Sequence, residues 1–156
     1  MMVDYLINPV KMGGLVKEVY DGGNMVKIYL HGRLGVIKVP RSIIRGDAEL
    51  EPGHELEFYF SYIQIVPDPY DYSSSEMDPA EEISPSLLGG QVIDVNDTAV
   101  TVKVMDELGE ITVPRRWIIT DKEPAAGSEA ELYFSCMDVI GKRDLPAMFK
   151  IGRAHV

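Results

Sequence analysis

The stretch "GVIKVPRSII", Gly35 to Ile44, returns as "GEITVPRRWI", Gly109 to Ile118, and this repetition decides how the whole chain is read. Working outward, the residues from Val26 to Val66 align with residues 74 positions later. Val26, Ile28 and Leu30 meet Val100, Val102 and Val104; Val39, Pro40 and Arg41 meet Val113, Pro114 and Arg115; Gly53 and Glu55 meet Gly127 and Glu129; "YFS" at Tyr59 meets "YFS" at Tyr133. Upstream the offset becomes 76, so that "GGLVKEVYD" at Gly13 aligns with "GGQVIDVND" at Gly89. The difference falls in the first turn, "GGN", where changes of length are tolerated. Self-similarity over this span is a tandem duplication.

Each copy reads as β. Val26, Ile28 and Leu30 alternate with Lys27, Tyr29 and His31, and Leu56, Phe58 and Phe60 alternate with Glu55, Glu57 and Tyr59. That is the period of two of half-buried strands. "DGGN", "HGRLG" and "PGHE" punctuate them as turns, and "PRSIIRGDAELEP" is too short and too interrupted for more than one helical turn. In the repeated stretch, Pro40 and Pro114 end the third strand by withholding a ladder donor. Ile43 with Ile44, and Trp117 with Ile118, then close one end of a barrel. Four or five short strands per copy are too few for a sandwich, and closure into a small barrel removes the unpaired edges. The expected fold is all-β: two tandem duplicated small barrels, 11–66 and 87–143, with an extension at 1–10, a linker at 67–86 and a tail at 144–156. The last six residues, "IGRAHV", resemble the in-frame translation of a sequencing adapter, so 151–156 are set aside as a scar.

Composition bounds the functions. The chain has 156 residues and a formal charge of −10. No run approaches the roughly 18 apolar residues of a membrane span, and "MMVDYLINPV" lacks the basic start of a secretory signal, so the expectation is a cytoplasmic protein without a membrane partner. The single Cys136 excludes an internal disulfide and multi-cysteine metal motifs, and its apolar surroundings predict a buried, inert thiol. His31 and His54 have no nucleophile or metal-ligand spacing around them, and the glycine pairs at Gly13 and Gly89 precede β-like sequence, not the helix a phosphate cradle needs. No enzyme activity, metal or cofactor is expected.

The second copy, "GGQVIDVNDTAVTVKVMDELGEITVPRRWI" followed by "PAAGSEAELYFSCMDVIGK", resembles the S1 domain, a five-stranded OB-type barrel of RNA-binding proteins. The likeness rests on an opening Gly-x-Val, a Val-x-Val strand, a Gly before the third strand and a Gly-x-Glu launching the fourth. It implies an RNA-binding or single-strand-binding module. S1-type domains usually place aromatic side chains on the second and third strands, because base stacking is worth roughly 1–3 kcal/mol per base. This chain instead has Met25 and Ala99, then Val36 and Glu110, then Lys38 and Thr112 at those places.

Charge separates the copies. Residues 11–66 hold seven basic and seven acidic side chains, and residues 87–143 hold six and ten. The candidate nucleic-acid face therefore lies mainly on the first copy: Lys27, Tyr29, His31, Arg33 and Lys38 on one side of the sheet, with Arg41 at its edge and Arg115 at the matching rim of the second. Outward lysines also serve solubility alone. The linker "PDPYDYSSSEMDPAEEISPS" holds six acidic residues and no basic one, and its composition predicts a spacer between the barrels. Its carboxylates Asp68, Asp71, Glu76 and Asp78 match no EF-hand spacing. The alternative function is a protein-interaction module whose acidic linker, or exposed Met25 and Val36, contacts a partner.

Overall fold

A computed structural model describes residues 7–67, 72–75 and 77–143, the side chain of Arg33 excepted. The tail 144–156, residues 1–6 and the carboxylates of Asp68, Asp71 and Glu76 lie outside the described residues. The chain is all-β. The first repeat supplies β1 (Val10–Tyr20), β2 (Met25–Leu30), β3 (Val36–Pro40), β4 (His54–Phe60) and β5 (Ile63–Val66). The second supplies β6 (Ser86–Val95), β7 (Ala99–Val104), β8 (Gly109–Pro114), β9 (Ile118–Ile119), β10 (Glu129–Phe134) and β11 (Asp138–Lys142). Both third strands stop at their proline, and a three-residue 3-10 turn follows each: Arg41–Ile43 and Arg115–Trp117.

The expectation of two separately closed barrels requires correction. The strands form one sheet whose order β4-β1-β2-β3-β8-β7-β6-β10 closes on itself through a β4–β10 pairing, so eight strands make a single ring from both repeats. The seam strands pair antiparallel, with Ile37 opposite Ile111, Val36 opposite Thr112 and Lys38 opposite Glu110. On the far side Phe60 is opposite Phe134. Ile37 and Ile111, like Phe60 and Phe134, are counterparts in the duplication, so each meets its own copy as residues do across an isologous two-fold interface. The fifth strands are exchanged: β5 pairs with β10 of the second repeat, and β11 pairs with β4 of the first. A repeat whose fifth strand lies on the other copy does not close alone, and closing the ring together removes the edges that two separate sheets would expose.

The repeated glycines and the repeated "YFS" are the parts that make this seam. Gly35 and Gly109 have φ of 124° and 137°, a region L side chains rarely adopt. A Cβ on Gly35 would collide with the Thr112 carbonyl, and one on Gly109 with the Lys38 carbonyl. At the Phe60–Phe134 end the two rings pack edge to face, with centroids 6.3 Å apart. The buried Ser61 and Ser135 then trade hydrogen bonds: the Tyr59 N–H donates to Ser135 Oγ at 2.8 Å, and the Tyr133 N–H to Ser61 Oγ at 2.8 Å.

The core is one cluster drawn from both halves, with Val26, Ile28, Ile37, Leu56 and Phe58 packed among Val100, Val102, Ile111, Leu132 and Phe134. These are the inward positions of the alternation, which is why the period of two carries through to the structure. Ile43, Ile44 and Ile118 are buried beneath the 3-10 turns. The linker is more than a spacer: its described part lies on the ring, with Met77 and Ile83 part-buried against the core.

Candidate functional site

The outer face of the first repeat brings Lys27, Tyr29 and Lys38 together. Lys27 and Lys38 are register partners across β2–β3, and Tyr29 is opposite Val36. β1 has a bulge between Val16 and Glu18, mirrored between Val92 and Asp94 of β6. The bulge, a device that re-aims a side chain, adds a residue that sequence reasoning passed over. Lys17 sets its ammonium 5.5 Å from the centre of the Tyr29 ring, and Lys27 sets its own at 5.9 Å. Tyr29 is 40% exposed, and both ammoniums lie over its ring. Val16 is buried, so alternation already turns Lys17 outward, and the bulge turns Glu18 outward beside it.

The row is electrically mixed. Across the seam its register partners run Glu18, Lys27, Lys38, Glu110 and Lys103. Glu110 and Glu18 also reach Tyr20, whose phenol is pushed above its ordinary range by burial first and by these carboxylates second. The lysine pair thus lies between two glutamates.

The other predicted residues are placed differently. Arg41 donates to the carbonyls of Ile44, Gly46 and Ala48 at 2.5, 3.2 and 2.9 Å, which fixes the loop after the 3-10 turn. Arg115 donates to the Asn96 carbonyl and pairs with Glu123 at 2.5 Å. Both guanidiniums are engaged with their own loops. His31 lies in a 3-10 turn with its ring over Gly13, so near that a Cβ there would stand 2.6 Å from Nδ1. Arg33 occupies the same turn, and its side chain is outside the described residues. Met25 and Val36 are half-buried register neighbours of Pro40 and Thr112 and do not form an exposed patch.

The second repeat carries a different device over its matching glycine. Tyr72 of the linker lays its ring on Gly89, where a Cβ would stand 2.6 Å from the ring, and donates its hydroxyl to the buried Glu131 at 2.7 Å. Ser74 donates to Asp106 at 2.6 Å. An open groove of about 580 Å³ runs beside Tyr72, lined by Gly90, Lys103, Met105, Asp106 and Glu129. At the other end of the linker Arg45 donates to the Pro79 carbonyl at 3.2 Å and pairs with Asp138 at 2.6 Å. Cys136 is buried there, and its thiol is pushed up by that burial and by the nearby Asp78 carboxylate. A neutral thiol of this kind is a weak nucleophile. Asp78 also caps the turn by accepting from the Ala80 N–H at 2.9 Å.

Among the described residues no three His, Cys, Asp or Glu side chains gather as a metal site requires, and no helix is long and apolar enough to cross a membrane. No protein-family model and no curated protein matches the chain. The geometry therefore carries the functional reading.

Proposed function

We propose that the chain is a non-enzymatic module that holds single-stranded RNA on the outer face of its first repeat. The observation that carries this is the half-exposed Tyr29 ring with the ammoniums of Lys17 and Lys27 over it, and Lys38 directly across from Lys27. A base stacks on the ring while lysines meet the flanking phosphates, a combination that binds single strands without reading their sequence. The resemblance of each repeat to S1 domains points to the same ligand class.

The second repeat supplies an internal control. The places of Lys17, Lys27, Tyr29 and Lys38 are taken there by Ile93, Thr101, Lys103 and Thr112, and the two threonine hydroxyls bond to each other at 2.9 Å. Only one repeat offers the cationic face. The test is fluorescence anisotropy of a labelled single-stranded RNA at low and moderate salt. Binding is expected to weaken as salt rises, to be lost in the Lys27→Glu, Lys38→Glu double variant, and to persist in Thr101→Glu, Thr112→Glu. No binding at low salt, or equal loss in both double variants, overturns the proposal.

A further inference from the structure

The two seams at the ends of the exchanged strands are built alike and finished differently. At the first Ile44 bridges Met137, and at the second β5 pairs parallel with β9 through Ile63 opposite Ile118. Around the first stand Ile43, Arg45, Cys136 and Asp138; the duplication puts Trp117, Ile119, Tyr62 and Gln64 at the matching places of the second. The Arg45–Asp138 ion pair, closed at 2.6 Å, thus gives way to an apolar finish. The Tyr62 and Trp117 rings stack with centroids 4.1 Å apart, Trp117 stacks on the core ring of Phe60 at 6.2 Å, and Tyr62 is 45% exposed. Trp117 gives its indole N–H to the Ser61 carbonyl at 2.9 Å, so the indole has no donor left for an occupant to meet.

The first seam is covered by the chain itself. Ser86 of β6 is opposite Phe134, so the residues before it run toward Cys136. There Met77 and Ile83 lodge part-buried against the core, a turn closes between them from Asp78 to Glu81, and Arg45 holds the Pro79 carbonyl at 3.2 Å. The duplication reaches this stretch as well. At the offset of 76 that aligns the paired glycines, Met77 and Ile83 fall on Met1 and Ile7, the same two residues at the same spacing. Val10, the counterpart of Ser86, is opposite Phe60, so the residues before β1 run toward Tyr62, and Ile7 is buried. The five residues between differ as the seams differ. "DPAEE" lies beside Arg45, whereas its counterpart "MVDYL" has four apolar or aromatic side chains and belongs with Tyr62, Trp117 and Ile119. Removing such facing apolar surfaces from water together is favourable without any directed bond.

We propose that residues 1–6 are a strap of the chain's own over the Tyr62–Trp117 stack, seated at Met1 and Ile7 as the linker is seated at Met77 and Ile83. The strap closes the second seam by apolar contact where the first is closed by an arginine. It is separate from the lysine face and stands or falls without it.

Trp117 is the single tryptophan of the chain, so its emission reports this seam directly. The experiment measures acrylamide quenching of Trp117 in the full chain, in a chain lacking residues 2–6, and in the full-length Val3→Asp, Leu6→Asp double variant. In both altered chains quenching is expected to rise about twofold or more and the emission to shift to the red, as the stack loses apolar cover. Far-UV circular dichroism should stay unchanged. The double variant decides the matter if the shortened chain does not fold. A synthetic MMVDYL peptide added to the shortened chain should restore the shielding. Glu81→Lys, Glu82→Lys, at the exposed places of the other strap, should leave Trp117 as it is. Unchanged quenching in the altered chains, an equal rise in the linker variant, or shielding in the full chain that depends on protein concentration, as cover by a second copy would, overturns the proposal.

Discussion

In the first repeat the β2–β3 pair sets Lys27 against Lys38; in the second, the β7–β8 pair sets Thr101 against Thr112 at the same place and joins their hydroxyls. The glycines at the barrel surface diverge in the same way. Gly13 is covered by His31 of its own repeat, whereas Gly89 is covered by Tyr72 from the linker. Glu57, the counterpart of Glu131, pairs with Lys11 at 3.4 Å, so a lysine of the first repeat stands where the second uses the Tyr72 hydroxyl. Gly35 with Gly109, Ile37 with Ile111, Phe60 with Phe134 and Ser61 with Ser135 have not diverged at all. The lesson lies in where these residues are. A side chain that meets its own counterpart across the seam is constrained twice by one geometry, while a side chain on the outer face answers to its surroundings alone and can specialise.

This comparison can be broken most forcefully at the glycines. Gly35→Ala and Gly109→Ala each place a Cβ against a backbone carbonyl at a left-handed φ, and each is expected to cost about 3 kcal/mol or more in urea unfolding. A near-neutral result at either position contradicts the β3–β8 register. Next come the serines. Ser61→Ala and Ser135→Ala each leave a strand amide of the other repeat without its acceptor, with an expected loss of about 1–3 kcal/mol apiece in the same measurement. Costs that are unequal by more than a factor of about three, the usual spread between contexts, contradict the pseudo-two-fold. The smallest effect sharpens the functional half of the comparison. The Lys27→Thr, Lys38→Thr double variant gives the first repeat the second's hydroxyl pair; it removes one lysine–lysine and two lysine–glutamate pairs, so stability is expected to shift by less than about 1 kcal/mol while the RNA anisotropy change is abolished. A folded variant that still binds RNA would separate the lysines from the function.

Much of the architecture could be read along the chain. Alternation in Val26–Leu30 and Leu56–Phe60 placed the strands and their inward faces, because the pleat makes every second side chain share a face. Pro40 and Pro114 marked the strand ends, and the single helical turn after each was foreseen from its punctuation. The candidate face was legible in part. Lys27, Tyr29 and Lys38 emerged as neighbours, whereas Lys17 was passed over although alternation from the buried Val16 turns it outward, and Arg41 and Arg115 were read as rim ligands when their donors serve loop carbonyls. Composition predicted an unattached linker, yet Tyr72 and Pro79 anchor its described part to both repeats.

The sequence by itself determined that the protein is a duplicated all-β chain, which residues of each strand are buried, and where the turns fall, since those follow from local periodicity and backbone chemistry. Only the tertiary structure decided that the two copies share one ring, exchange their fifth strands and finish their two seams differently. A strand's side-chain pattern specifies its buried face but says nothing of which neighbour occupies its edge, because the amides and carbonyls along that edge are the same in every strand. Two copies with matching edges can each close alone or close together. The choice rests on close approaches such as Gly35 to Thr112 and Gly109 to Lys38, which exist only once both copies are in place.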